Sequence, residues 1–371
     1  MFLRRVLVLS LCFLLAIAII SCSSKSSLPT YDDDVIIIDV PVYQELSTPL
    51  PSISQMFDTI DVVLETGGFE SLIGDRISDI KICDDTLIIL SNDALQLFDI
   101  NGNFIRKIDR KGRGPGEYSR ISHFDLDEKN HHVIILDDYS GLLRYTLGGK
   151  FVSKISYSNY VLDFALMPDG GYVFYNPFAK SPDGGLWTID SQGNFIRTLL
   201  SLDEYDIHSI SGNRWLTHIN DSVIGFSGIT VNFYHITGDT IILTFHITSD
   251  LIDPEINPFP ENGGLGAYYT DSYYESDGLF MFNLSFTSPP YHFTRTFYDK
   301  KNGQSSYLFA RPYINTRVPA DNRIPHFTSS YKECFFSVLS TSEILNHEQL
   351  KTQYPQITED SNPVIRIFRS K

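Results

Sequence analysis

The feature that most constrains the fold of this chain is a hairpin pattern that recurs with a period in the mid-forties. In each copy, two short runs of alternating apolar residues flank a glycine-containing turn, which is the signal of an antiparallel hairpin. The turn glycines are spaced by 47, 44 and 45 residues and are Gly102, Gly149, Gly193 and Gly238. Two further short apolar runs precede each hairpin, so each unit has four strands. A repeat of this length without helical periodicity is typical of β-propeller blades.

The later part of the chain extends the pattern to six units. A fifth hairpin turns at Gly303, 65 residues after the fourth, and we interpret residues 250–275 as an insertion. The sixth unit has strands at 324–327 and 334–339, a helical excursion at about 341–354 and a last strand at 364–368. Its missing outer strand is supplied by residues 60–65. The sequence therefore predicts an all-β, six-bladed propeller over residues 56–371, with the last blade closed by the N- and C-terminal strands.

The start of the sequence indicates export. Arg4 and Arg5 precede an apolar run over residues 6–20, and Ser21 and Cys22 follow it, which is the order of a signal peptide and not of a membrane span. The residues before Cys22 resemble a bacterial lipobox, which implies a signal peptide over 1–21 and acylation of the cysteine with chains such as palmitate. Residues 22–55 are then a tether and N-terminal extension. Ordinary secretion with an incidental cysteine is the alternative.

The charge of the chain excludes two classes of partner. There are 29 basic and 45 acidic residues, and the signal peptide removes only Arg4 and Arg5, which leaves a net charge of −18. Such a surface repels nucleic acid and anionic membrane surfaces. We therefore expect no nucleic-acid partner, and contact with the membrane only through the lipid anchor.

Two motifs carry a resemblance to a known family. The loop after the first hairpin, residues 112–118, reads GRGPGEY, and residues 362–365 near the end read NPVI. These resemble the GxGPGEY signature and the closing strand of six-bladed β-propeller lipoproteins of Bacteroidota. The resemblance implies the propeller fold, an address in a Gram-negative cell envelope, with the outer membrane as the expected site, and, for most members, no known reaction.

Ligand binding is expected on one face of the propeller. In a four-stranded meander, the loops between the second and third strands and between successive blades share one face, here called the loop face, and the tight glycine turns occupy the other, the turn face. Function favours the face with longer loops. Its candidate ligand-binding residues, which combine aromatic rings with polar groups, are Arg113, Glu117, Tyr118, Asp138, Tyr139, Tyr268, Tyr269 and Tyr273. Alternatively, the tyrosines pack over blade ends and the glycine-rich loop is purely structural.

The innermost strands of four units share a polar position. When these strands are aligned, the third residue is always Asp or His, and the four residues are Asp79, His123, Asp163 and His326. They belong to blades that are consecutive around a closed ring, so they would form an arc near the central channel. Two imidazoles and two carboxylates could bind a divalent metal ion. The alternative is that they form hydrogen bonds between adjacent inner strands.

The cysteines beyond Cys22 leave two interpretations open. Cys83 and Cys334 show no C-x-x-C spacing of the kind that binds metal. They form either a disulfide in an oxidising envelope or two buried thiols that pack as small hydrophobic side chains.

The sequence therefore favours binding over chemistry. It contains no H-E-x-x-H, G-x-S-x-G or dinucleotide-binding motif. We interpret the chain as an envelope lipoprotein that is not an enzyme, needs no cofactor and binds or scaffolds a glycan, peptide or protein. The alternative is a metal-assisted hydrolase or lactonase that uses the His/Asp arc. A third reading is a structural subunit of a larger envelope assembly.

The lipid anchor gives a first prediction. Cys22→Ala should move the protein from the membrane fraction to the soluble fraction, because the acyl chains are the apolar anchor that remains after cleavage. Cell fractionation followed by immunoblotting measures this, and Cys12→Ala, inside the signal peptide, is the matched control that should stay membrane-bound. A Cys22→Ala protein that remained in the membrane fraction would show that Cys22 is not the anchor.

Overall fold

The computed structural model describes residues 34–41, 52–74, 76–137, 141–157, 160–177, 184–201, 215–227, 231–249, 268–286, 293–310 and 327–371. Residues 36–371 form one compact unit. In the described residues its strands make six separate sheets, and each contains an antiparallel meander of four strands. The four strands are consecutive in the chain except in the closing blade, and one sheet carries a fifth strand. The six sheets are the blades of a propeller, so the fold class predicted from the repeat is confirmed. No helix in the described part of the chain has the length and hydrophobicity that spanning a membrane requires.

The first three blades follow the predicted hairpin register closely. Blade 1 runs from its inner to its outer strand as β3 (Ile77–Cys83), β4 (Thr86–Ser91), β5 (Ala94–Asp99) and β6 (Phe104–Ile108). Blade 2 contains β7 (Ile121–Asp127), β8 (His132–Asp137), β9 (Gly141–Thr146) and β10 (Phe151–Ile155). Blade 3 contains β11 (Asp163–Leu166), β12 (Tyr172–Asn176), β13 (Gly185–Ile189) and β14 (Phe195–Leu200).

The last three blades are less regular. Blade 4 contains β15 (Leu216–His218), β16 (Ile224–Ser227), β17 (Asn232–Thr237) and β18 (Thr240–Thr248). Blade 5 contains β19 (Tyr268–Glu275), β20 (Leu279–Phe286), β21 (Phe293–Asp299) and β22 (Gln304–Ala310). Strand β19 takes up the last eight residues of the stretch interpreted as an insertion. Blade 6 contains β23 (Ser329–Tyr331), β24 (Cys334–Leu339), β25 (Val364–Ser370) and β2 (Phe57–Val63).

Three short α-helices accompany the strands in the described part of the chain. Helix α1 (Ile53–Met56) leads into β2. Helices α2 (Thr341–Asn346) and α3 (Glu348–Gln353) lie between β24 and β25, within the predicted helical excursion. The Ser340 side chain caps α2 by accepting a hydrogen bond from the backbone N–H of Glu343.

The glycine turns form as the sequence predicts, and one of them also packs against the neighbouring blade. At the turn between β5 and β6, the Asp99 carboxylate accepts hydrogen bonds from the backbone N–H groups of Asn101 and Asn103. Gly102 has φ of +88°, and a Cβ there would lie 2.0 Å from the carbonyl oxygen of Val63 in β2. Only glycine satisfies both requirements, because other residues pay for positive φ and need the space.

The ring is closed by pairing between the two ends of the propeller. Strand β2 is antiparallel to β25 over seven residues, with Ile60 opposite Ile367. The predicted shared last blade is therefore confirmed. The pair is reinforced by a bidentate contact in which the Arg366 guanidinium donates to both oxygens of Asp61, at 2.6 and 2.9 Å.

A fifth strand, which the sequence analysis did not anticipate, lies on blade 4. Strand β1 (Ile36–Asp39) comes from the predicted N-terminal extension and pairs in parallel with β18, the outer strand of that blade. Ile38 and Val40 are buried while Ile37 is exposed, which is the alternation expected of an edge strand with one covered face. The Tyr307 hydroxyl of blade 5 also donates to the Asp39 carbonyl at 2.8 Å.

The hydrophobic core lies between the blades. The middle strands are buried nearly throughout, for example β4 and β13, because each blade is covered on both faces by its neighbours. Cys83 and Cys334 belong to this core as free, buried thiols, which is the second of the two interpretations left open by the sequence.

Closure of the ring predicts a position-dependent cost. Ile367→Ala should lower the free energy of unfolding by about 2–5 kcal/mol, because it opens a cavity in a fully buried part of the closing strand. Ile60→Ala, at the position paired with it but 41 % exposed, is the control and should cost less than about 1 kcal/mol. Urea denaturation measures both, and equal losses would contradict the assignment of β25 to the core.

Candidate functional site

The central channel is filled by buried charged side chains from the inner strands. The Lys81 ammonium in β3 is 2 % exposed and lies 3.6 Å from an Asp79 carboxylate oxygen and 3.8 Å from one of Asp125 in β7. It also lies 5.4 Å from the Phe124 ring centre and 4.9 Å from that of Tyr331. One cation is thus surrounded by two carboxylates and two aromatic faces, which compensates for the water it has lost.

Carboxylates of this cluster also join inner strands that are not paired in any sheet. Asp125 Oδ2 accepts the backbone N–H of Leu166 in blade 3 at 2.7 Å and lies 2.8 Å from Nε2 of His218 in blade 4. Asp163 of blade 3 accepts the backbone N–H groups of Trp215 and Leu216 at 2.8 and 3.0 Å. These contacts hold the inner strands of blades 2, 3 and 4 at fixed distances, so the channel cluster is a structural element of the ring.

The predicted His/Asp arc is only partly described by the structure. Asp79 and Asp163 are buried on inner strands, and each accepts a hydrogen bond from the N–H of the next residue. His123 is half-buried on β7, and His326 lies outside the described residues. Asp163 also accepts backbone N–H groups of blade 4, as in the alternative of hydrogen bonds between adjacent inner strands. Asp79 contacts Ile80 and Lys81 of its own strand. Metal binding by the arc stays a prediction.

Sequence reasoning missed Lys81, Asp125 and His218, although a signal for two of them exists. Lys81 and Asp125 each lie two residues after an arc position on the same strand. Because side chains at i and i+2 point to the same side of a strand, a charged residue there also faces the channel. His218 belongs to a blade whose inner strand did not match the alignment.

The turn face carries a polar pocket at the channel mouth. It has a volume of about 500 Å³, with Tyr331 and His218 among its lining residues. Lys332 at its rim contacts Glu128 and Asp221 at 2.8 and 2.5 Å. Burial acts to lower the pKa of Lys332, but these two carboxylates outweigh burial and raise the pKa above its usual value. The positive charge of Lys332 at this mouth is therefore balanced by carboxylates of the protein itself.

A larger pocket opens on the loop face, where blades 6 and 1 meet. We call it the seam pocket. It has a volume of about 1140 Å³ and is lined by residues 66–69, 72–74, 76, 77, 328, 338, 340–342 and 359–363. Phe69 is 87 % exposed and Leu72 is 42 % exposed at its edge. This pocket lies on the face that the loop argument favours, but none of its lining residues was among the predicted ligand contacts.

The loop that presents Phe69 is held by a dense set of hydrogen bonds. The buried Asn362 side chain donates to the carbonyls of Glu65 and Ser71 at 2.6 and 2.8 Å and accepts the N–H of Ile73 at 2.8 Å. Ser71 Oγ in turn accepts the N–H groups of Gly67 and Gly68, each at 3.1 Å. The backbone on both sides of Phe69 is therefore fixed.

The GRGPGEY loop folds onto itself. Glu117 accepts the N–H of Gly114 at 2.7 Å, and both Glu117 and Arg113 are exposed. Tyr118 is fully buried, and its hydroxyl donates to the carbonyl of Ile108 at 3.3 Å. Burial raises the pKa of the Tyr118 hydroxyl well above its usual value. These contacts describe a structural loop, and ligand contact by Arg113, Glu117 and Tyr118 stays a prediction.

The remaining predicted ligand contacts are scattered. Tyr273 is a buried residue of β19 whose hydroxyl donates to Glu275. Tyr268 and Tyr269 belong to the same strand, and their side chains are outside the description. Asp138 and Tyr139 lie outside the described residues. The structure therefore brings no group of these residues together in one described site.

Among the described residues, one group of three side chains offers potential metal ligands within reach of a single ion. It consists of Cys83, Asp84 and His131, whose ligand atoms lie within 4.8 Å of one another. It does not include any residue of the predicted arc.

Comparison with known proteins agrees with the fold. Six four-stranded blades around a filled channel define the chain as a six-bladed β-propeller. The chain belongs to the family described as Domain of unknown function (DUF4934), whose profile matches residues 35–369. No curated protein matches the chain.

Solved structures match the chain at low sequence identity. The crystal structure of a "Putative exported protein" from Bacteroides fragilis NCTC 9343 is 15 % identical, with a TM-score of 0.71, and the match covers 90 % of this chain and 99 % of that one. U3-55K is 11 % identical with a TM-score of 0.44 over 83 % of this chain and 98 % of that one. The RRP9 WD40 repeats are 10 % identical with a TM-score of 0.44 over 84 % and 97 %.

The channel cluster predicts a large effect of one substitution. Lys81→Met should lower the free energy of unfolding by about 3–5 kcal/mol, because it leaves the buried Asp79 and Asp125 without their cation. Lys107→Met, which removes a partly exposed ion pair with Asp109, should change it by less than about 1 kcal/mol. Thermal and urea unfolding measure both. A Lys81→Met protein as stable as the parent would show that the channel charges are not coupled.

Proposed function

We propose that this chain is a binding protein of the bacterial cell envelope. It is exported, anchored in the outer membrane through an acylated Cys22, and takes a glycan, peptide or protein ligand into the seam pocket. Support for the envelope address comes from the likeness to the Bacteroides fragilis "Putative exported protein" and from the order of residues around Cys22. The binding role needs no cofactor, and the net negative charge disfavours nucleic acid as its ligand.

The observation that carries the proposal is the exposure of Phe69 beside the seam pocket. Phe69 is 87 % exposed, so a ligand that covered its ring would remove apolar area from water, and the adjacent Leu72 enlarges the same apolar surface. Apolar side chains that line a concave site with a few polar groups are typical of binding sites. Here the polar groups include Arg76 on one side and Glu359 and Asp360 on the other.

The fixed backbone of the loop strengthens this assignment. Its ends are held by Asn362 and Ser71, so the loop loses little conformational freedom when a ligand binds. A loop braced in this way yet displaying a large aromatic side chain to solvent is preorganised for contact. A loop that only connected two blades would have no need of an exposed phenylalanine.

The alternative of hydrolysis is less well supported. The carboxylates of Asp79 and Asp163, which a metal-assisted hydrolase would use, contact backbone N–H groups and Lys81 inside the protein. Those contacts explain their burial without a metal ion. The seam pocket, by contrast, has room for a ligand and is open to solvent.

A substitution pair tests the proposal. The purified protein is first screened against arrays of glycans and peptides, and the affinity of the best ligand is then measured by calorimetry. Phe69→Ala should weaken binding by at least about tenfold, the effect of losing a central aromatic contact. Phe195→Ala, 59 % exposed on the outer strand of blade 3, is the control and should bind like the parent.

Two results would contradict the proposal. If no glycan or peptide binds and affinity capture returns no protein, the binding role itself fails. If a ligand binds equally well to the parent and to Phe69→Ala, the protein binds but the seam pocket is not the site. Equal melting temperatures of the two variants establish that neither substitution disturbs the fold.

A further inference from the structure

The turn face brings together three side chains with metal-binding chemistry from two adjacent blades. Cys83 is the last residue of β3 and Asp84 is the first residue of the turn that follows. His131 ends the 3-10 turn Glu128–Asn130 between β7 and β8 of the next blade. One ligand atom from each lies within 4.8 Å of the other two, and His131 Nδ1 is 3.5 Å from Asp84 Oδ2.

This set of donors matches the preferences of one class of metal ion. Thiolate, imidazole and carboxylate together are ligands of Zn²⁺, with bonds of about 2.0–2.3 Å in tetrahedral geometry. Two nitrogen or oxygen ligands at opposite ends of one tetrahedral edge are then about 3.4 Å apart. The distance of 3.5 Å between His131 Nδ1 and Asp84 Oδ2 is already close to this value. The sulfur lies within 4.8 Å of both atoms, so binding of one ion by all three requires the two exposed side chains to rotate toward it.

We propose that Cys83, Asp84 and His131 form a binding site for a thiophilic divalent cation of the Zn²⁺ type. The three residues supply three ligands, and water or an external ligand takes the fourth position. The site joins blades 1 and 2 on the turn face. It is separate from the seam pocket, which opens on the loop face, and from the predicted His/Asp arc.

The backbone holds the two exposed ligands in place. The His131 N–H donates to the Glu128 carbonyl at 3.1 Å, and the His131 carbonyl accepts the N–H of Leu147 at 2.9 Å. His131 and Asp84 both adopt left-handed backbone conformations, with φ of 52° and 50°. Such conformations are uncommon outside glycine and recur at functional sites.

Access and charge fit a cation. The Asp84 and His131 side chains are 75 % and 65 % exposed, so an ion reaches them from solvent, while the buried Cys83 closes the inner side. Burial raises the pKa of the Cys83 thiol to about 11, the carboxylates of Asp84 and Glu128 add to this, and Lys332 opposes it. A divalent cation neutralises those carboxylates and favours the thiolate.

Binding is a simple exchange. The Cys83 S–H bond breaks, its electron pair forms the sulfur–metal bond, and the proton is released to water. Neither sulfur nor metal changes oxidation state. The expected outcome is a metal-bound blade junction that resists unfolding more than the metal-free one, because the ion binds the folded state.

Cobalt provides a direct readout. The purified protein is titrated with Co²⁺, which substitutes for Zn²⁺ and shows a sulfur-to-cobalt charge-transfer band in the near ultraviolet when a thiolate binds it. We expect one equivalent of Co²⁺ to produce this band and added Zn²⁺ to remove it. Cys83→Ser should abolish the band. Cys334→Ser, which removes the buried thiol of blade 6, is the matched control and should leave it unchanged.

Variants of the two exposed ligands guard against a folding defect in Cys83→Ser. His131→Ala and Asp84→Asn alter solvent-exposed side chains, and each should weaken Zn²⁺ binding by at least about tenfold in competition with a chelator. Absence of the charge-transfer band in the parent protein would overturn the proposal. So would a band that persists in Cys83→Ser, or chelator-competed affinities that are the same in the parent and in both exposed-ligand variants.

Discussion

Pairing of β2 with β25 is the contact on which the rest of the structure depends. A propeller blade buries both of its faces only when a neighbour lies on each side, so every blade relies on the ring being closed. The closing strands carry this pairing over seven residues. They also carry Asp61. Burial acts to raise the pKa of this carboxyl group, but hydrogen bonds and the charge of Arg366 outweigh burial and hold the pKa below its usual value. Tyr354, just after α3, contacts both of these side chains. The same contact thus closes the ring and fixes the chain segment that walls the seam pocket.

The channel follows a different physical logic from the closing strands. Burying Lys81 with Asp79 and Asp125 costs desolvation that their mutual attraction offsets only in part. An apolar filling of the channel would therefore be no less stable. The charged filling, however, accepts backbone N–H groups from other blades, as Asp125 does from Leu166 and Asp163 from Trp215. Directional contacts of this kind select one arrangement of the inner strands, whereas apolar packing tolerates several.

Much of the architecture was predictable because its signals are local. Turn glycines at a constant period define hairpins, and a strand without a blade at each end of the repeat defines closure. Strand β1 was not predictable, since a parallel pair has no connecting turn and its partner β18 lies about 200 residues away in sequence. Strand β19 was missed because it lies in the long spacing between the fourth and fifth turn glycines, Gly238 and Gly303, where the repeat gives no second marker.

The candidate sites were less predictable than the fold. The exposure of Phe69 gives no signal in the sequence. The loop that contains it has no hydrophobic periodicity, so the sequence pattern cannot distinguish an exposed aromatic residue there from a buried one. The group of Cys83, Asp84 and His131 depends on two turns of adjacent blades meeting in space. The spacing of these residues in the sequence corresponds to no metal-binding motif. The polar position shared by the inner strands was found in the sequence. Whether its side chain binds an ion or accepts a backbone N–H depends on its neighbours in adjacent blades, which the sequence pattern does not show.

Strand β1 also determines where a lipid anchor would attach to the ring. Only thirteen residues lie between Cys22 and Ile36, so such a tether reaches at most roughly 50 Å. It joins the fold at the rim of blade 4, which lies almost diametrically across the ring from the junction of blades 6 and 1. An anchor attached there would leave the seam pocket, on the far side of the ring, open to a ligand.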